Sequence, residues 1–137
     1  MLFDLINTSP KYREISVGEI YETIVAAHQH NRMFIWTNPD GVWLGFMTFA
    51  LLPPDMVEDF VNGTYNVRND DFARNDGLLW VMDFIAPFGN VSSMMMDAQH
   101  RFAELFGDGT LIQWKRSKRT PPKLGWVYAR KRFDVAA

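Results

Sequence analysis

Trp80-Val81-Met82-Asp83-Phe84-Ile85-Ala86-Pro87-Phe88-Gly89-Asn90 is the stretch on which the reading of this chain turns. From Leu78 to Ala86 the only polar side chain is that of Asp83. An apolar run of this length, closed by a Pro-Phe-Gly turn, predicts a strand covered on both faces. A carboxylate inside such a strand is costly unless it is hydrogen-bonded or paired. Asp83 therefore serves either a structural hydrogen bond or chemistry.

Working outward from this strand, the C-terminal side predicts a helix capped by Ser92 or Ser93. Met95, Ala98, Phe102, Leu105 and Phe106 share one face of it, and Gly107-Asp108-Gly109 ends it. Leu111–Trp114 and Leu124–Arg130 follow as strands, joined by the basic segment 115–123. On the N-terminal side, Asn62–Gly77 is rich in Asn, Asp and Arg and reads as a long loop, a length more often functional than not. Before it, Pro53-Pro54-Asp55 opens a short helix to about Phe60. Met33–Trp36 and Val42–Leu51 form a hairpin around Asn38-Pro39-Asp40-Gly41. A first helix opens with the capping-box pair Ser16 and Glu19, and carries Val17, Ile20, Ile24 and Ala27 at helical spacing. The order α-β-β-α-β-α-β-β predicts one α/β domain spanning 1–137, with helices flanking a mixed, mostly antiparallel sheet.

The 137 residues suffice for one core, and 47% hydrophobic with 15% aromatic residues describes a folded chain. Cysteine is absent, which removes disulfides, thiolate nucleophiles and most structural zinc sites. No apolar run is long enough to span a bilayer, and Met1–Asn7 lacks a basic leader, so a cytoplasmic location is expected. The net charge of −2 conceals an asymmetry. From Leu111 onward eight Lys or Arg face one acid, whereas the first 110 residues hold six basic and fifteen acidic residues. The basic segment, with Lys115, Arg116, Lys118 and Arg119, could dock an acidic partner protein or form a solvated hairpin tip. The acidic remainder of the chain argues against nucleic acid. His28 and His30 stand two apart on a helix and do not face each other, so no metal site is expected.

The strand with one Asp running into Ile-Ala-Pro-Phe-Gly resembles the signature of the RTX toxin-activating lysine acyltransferases, the HlyC-like enzymes. Upstream, Thr8-Ser9-Pro10-Lys11-Tyr12-Arg13 is similar to their N-terminal motif, and the likeness extends over roughly Leu5 to Tyr128. The resemblance implies a fold like that of the Gcn5-related acetyltransferases, often dimeric. It also implies acyl transfer from an acyl carrier protein thioester to a lysine of a protein. No bound cofactor is expected; the thioester, on carrier protein or coenzyme A, would be the donor. Asp83 matches the Asp of the family's catalytic pair. The family's His position is occupied by Tyr12, a departure at the centre of the chemistry.

Attack on a thioester needs a neutral amine, and neutralising a lysine of pKa about 10.4 at pH 7 costs about 4.6 kcal/mol. A histidine accepts a proton near neutrality, whereas Tyr12 is better suited to protonate a leaving thiolate. A desolvated carboxylate is a stronger base, so Asp83 could take over that role. Gly89 and Asn90 lead into a helix N-terminus whose free amides suit a donor phosphate, although any helix start offers as much. The alternative is a non-catalytic binding or structural protein on the same fold, such as a phage virion or host-modulating accessory protein. In that case Asp83 is a structural hydrogen-bonding group and Tyr12 a packed aromatic.

Overall fold

The computed structural model describes residues 17–116 and 122–132. Helix α1 begins as Val17–Ile20, widens through a π-helical turn at Tyr21–Val25 and resumes over Ala26–Gln29. Strands β1 (Met33–Thr37) and β2 (Trp43–Leu52) form the expected hairpin. The Asn38 side-chain oxygen accepts the amides of Asp40 and Val42, closing the turn with Gly41 at φ 79°. Helix α2 (Pro54–Val61) starts with proline at a position where no amide is needed. Strand β3 (Leu78–Ile85), helix α3 (Val91–Phe106) and strands β4 (Leu111–Lys115) and β5 (Leu124–Tyr128) complete the order.

The five strands lie in sequence order, and β3 is central. All neighbours are antiparallel except β3 and β4, which are parallel and joined by α3. The sheet is therefore the mixed, mostly antiparallel one that the sequence predicts, with helices on both faces.

On one face α3 packs Ala98, Phe102 and Ala103 against Phe34, Met47, Phe49, Leu79, Val81 and Ile112. The rings of Phe34, Phe49 and Phe102 meet pairwise at 4.8–4.9 Å. The start of α3 comes this close because Gly45 has no Cβ; one there would lie 2.6 Å from the Ile85 carbonyl and 3.0 Å from the Met94 sulfur. On the opposite face Ala50, Leu52 and Trp80 meet α1 and α2, while Phe46 and Ile85 meet Ile20 and Ile24.

Four local expectations change. Helix α3 starts before the two serines: Asn90, left-handed at φ 63°, occupies the cap without a side-chain bond, and Ser93 Oγ donates back to its carbonyl at 3.1 Å. Leu105 is exposed rather than on the packed face. Segment 62–77 is not all loop: Asn69–Ala73 form a 3₁₀ turn that buries Phe72, and Val67 is buried beside it. Strand β5 ends at Tyr128 because the chain then crosses α3. There Gln99, His100 and Asp97 hold the Tyr128 and Arg130 carbonyls and the Arg132 guanidinium. Ser16, the other half of the expected capping box, lies outside the described residues.

Candidate functional site

Strict alternation along β3 would place Asp83 with Leu79 and Val81 in the α3 core. The pairing with β2 prevents this. Thr48 opposes Asp83 and Phe49 opposes Val81, so Met82 is an extra residue, a β-bulge. Met82 and Asp83 consequently share the face away from α3. Phe84 returns to the α3 side, 6.0 Å from Trp36, and Ile85 joins Ile20 and Ile24.

Thr48 fixes the carboxylate. Its hydroxyl donates to Asp83 Oδ2 at 3.2 Å and accepts the Asp83 amide at 3.1 Å. Thr48 is fully buried and is the only polar side chain in β2 between Trp43 and Leu52. Each of two adjacent strands thus carries one polar side chain, and the two meet. That pattern was available in the sequence and would have identified Thr48 as the partner of Asp83.

Asp83 lines a cavity of about 410 Å³. Ile24, Phe60, Val67, Phe72 and Met82 form its apolar wall. Its polar rim comes from the first two turns of α1 and from segment 62–77: Glu19, Glu22, Thr23, Asn66 and Arg68, with Arg68 and Glu22 paired at 3.4 Å. The wall at 65–73 is held by Asp71, whose carboxylate accepts the Tyr65 hydroxyl at 2.7 Å and the Arg68 amide at 3.2 Å. That hydrogen bond, aided by burial, holds the Tyr65 hydroxyl above its ordinary pKa of 10. The rim residues were invisible in the sequence because they come from two segments more than forty positions apart.

Beside the cavity the sheet opens. The parallel pairing of β3 with β4 ends at Val81–Trp114, and Met82–Ile85 continue with β2 alone. Lys115 is the last residue of β4. Its Nζ sits 4.1 Å from the centre of the Phe60 ring, and burial lowers the ammonium below its usual pKa. Trp80, next to Phe60 at 5.4 Å between ring centres, keeps a buried Nε1 without a partner among the described residues.

The remaining candidates are distributed as follows. Arg116 is exposed, and its amide donates to the Lys123 carbonyl at 2.6 Å. Gly89 and Asn90 are exposed in the turn that feeds α3, and both adopt positive φ. Tyr12, Lys118 and Arg119 lie outside the described residues. The third histidine of the chain, His100, is not among these candidates; it belongs to α3, on the face opposite Asp83, and its Nδ1 lies 2.6 Å from the Arg130 carbonyl. Among the described residues no cluster of three or more His, Cys, Asp or Glu suits a metal ion, and no helix is long and apolar enough to cross a membrane.

Two comparisons with known proteins bear on this arrangement. A family model described as HlyC, the RTX toxin acyltransferase family, matches residues 1–121. The RTX-II toxin-activating lysine-acyltransferase ApxIIC of Actinobacillus pleuropneumoniae is 26% identical over 116 residues, covering 85% of this chain and 70% of that protein.

Proposed function

The chain belongs to the RTX toxin acyltransferase family, and from that premise we propose that it transfers an acyl group from a thioester to a lysine ε-amine of a protein. The observation that carries this reading is Asp83. A β-bulge turns its carboxylate out of the dry core and into a cavity, and a buried hydroxyl fixes its orientation. Bulges of this kind recur next to active sites, where they re-aim a side chain.

In the reaction the lysine nitrogen attacks the thioester carbonyl, the carbon–sulfur bond breaks, and an amide and a thiol result. Asp83 orients the incoming amine and receives its proton. Thr48 keeps the carboxylate in place. Tyr12 supplies a proton to the departing sulfur. The apolar wall of Phe60, Val67, Phe72 and Met82 suits an acyl chain. The donor is carried by acyl carrier protein, with coenzyme A as the smaller alternative. Arg116, Lys118 and Arg119 provide positive charge for an acidic carrier, and the Gly89–Asn90 turn offers helix amides to the donor phosphate.

The test is amide formation on a lysine-containing acceptor protein, followed by mass spectrometry with acyl carrier protein and coenzyme A thioesters as donors. Wild type should transfer, and Asp83→Asn should lose transfer while remaining folded. No transfer from either donor across a broad acceptor set would sink the reading. Tyr12 favours a second reading, a binding protein that keeps the fold and has lost the base. Under it wild type is inert, and Tyr12→His restores transfer, because a neutral imidazole accepts a proton near pH 7.

A further inference from the structure

We infer that Lys115 is itself an acyl acceptor, so that the chain carries a self-modification site at the edge of its own cavity; this rests on the acyltransferase reading above. The argument begins with position. Lys115 is the first residue of β4 beyond the last pair with β3, at the point where the two strands part. Its side chain crosses to α2 and lays the amine on Phe60, and Phe60 is part of the wall of the cavity that holds Asp83. One aromatic ring therefore separates this amine from the space in which the amine of a substrate lysine is handled.

The second argument is the state of the amine. Among the described residues no carboxylate lies within ion-pairing distance of Lys115; the ring face is what its charge meets. An ammonium in partial burial without a counter-ion loses its proton more readily, and the direction of its pKa agrees. A larger neutral fraction makes it a better nucleophile than an ordinary solvated lysine. Four rotatable bonds let the amine leave the ring and turn into the opening.

The step balances without further reagents. The Lys115 nitrogen attacks the carbonyl carbon of the bound thioester, Asp83 takes the proton that the nitrogen sheds, the carbon–sulfur bond breaks, and the departing thiolate is protonated in turn. The products are an Nε-acyl-lysine and the free carrier thiol. Acylation removes the charge at Lys115 and places a chain against Phe60, filling the mouth of the cavity. A chain so modified should transfer to other proteins more slowly.

The experiment is incubation of the full chain with fatty-acyl carrier protein, alone and with a separate lysine-containing acceptor, followed by intact-mass and peptide mapping. The expected result is one acyl group per chain, on Lys115, resistant to hydroxylamine as an amide is. Lys115→Arg should reduce the adduct at least about tenfold, and Asp83→Asn should slow it by roughly 10²-fold or more, the scale of lost general-base catalysis. Acceptor acylated with Lys115 unmodified would overturn the self-modification and leave the acyltransferase reading intact. An adduct spread over Lys123 and Lys131, or one unmoved by Asp83→Asn, would be adventitious chemistry of surface amines and would overturn it too. If neither acceptor nor Lys115 is acylated, both readings fall.

Discussion

The two faces of the sheet are built to different standards. On the α3 face three phenylalanine rings interlock with strand side chains. At its rim Asp97 takes the Trp36 indole and Arg101 at 2.8 Å each and Arg132 at 2.6 Å. The opposite face is more open: it holds the larger cavity, about 410 Å³ against about 190 Å³ beside Trp36 and Met94, together with the Asp83 carboxylate, a half-buried lysine and an indole N–H without a partner among the described residues. Polar groups gathered at a cavity in an otherwise close-packed fold call for an explanation, and chemistry is one. Strand β3 serves both faces. The bulge at Met82 separates Val81 and Phe84, which pack, from Met82 and Asp83, which line the cavity.

If the α3 face is the one that stabilises, truncating Phe102 should produce the largest effect. Phe102→Ala leaves a hole among Phe34, Phe49 and Phe106 and should cost about 3–5 kcal/mol, read as a lowered denaturation midpoint. A loss below about 1 kcal/mol would mean that the two faces are not so distinct. Asp83→Asn should do the reverse. Stability should change by roughly 1 kcal/mol, since an amide still accepts the Thr48 hydroxyl, while acyl transfer falls about 10²–10³-fold. A collapse in melting temperature with transfer intact would return Asp83 to a structural role.

A smaller effect is expected at the cavity wall. Tyr65→Phe removes the bond to Asp71 and should cost about 1 kcal/mol at pH 7. Because Tyr65 titrates higher in the folded state than unfolded, its contribution is complete below pH 10 and is lost as the pH rises through the folded value. The difference between Tyr65→Phe and wild type should thus hold from pH 7 to 9 and shrink above about 10, as denaturant titrations would report. The smallest effect belongs to the rim. Glu22→Gln breaks an ion pair whose two side chains are 45% and 58% exposed, so stability should move by less than about 0.5 kcal/mol. A larger change would show that the rim, too, holds the fold together.

By itself the sequence determined the order of elements, the central place of the Asp83 strand and the exceptional character of Asp83. Those features follow from local patterns: apolar runs, turn residues and one carboxylate where none is expected. Helix α3 was legible from its packed face, but its start was not, because the left-handed Gly89 and Asn90 let it begin before the serines. Tyr12 was legible as a departure from the family motif, since that is a matter of residue identity alone.

Only the tertiary structure decided which face Asp83 occupies. A period of two assigns faces correctly only while the register is unbroken, and one inserted residue reverses every assignment beyond it. The bulge at Met82 is fixed by pairing with Thr48, thirty-five residues away, and by the cost of leaving a carboxylate among the rings of the α3 core. The same holds for the cavity rim and for Lys115. Residues 19–24, 66–72 and 115 share no local signal and meet because the sheet brings α1, α2 and the end of β4 to one face.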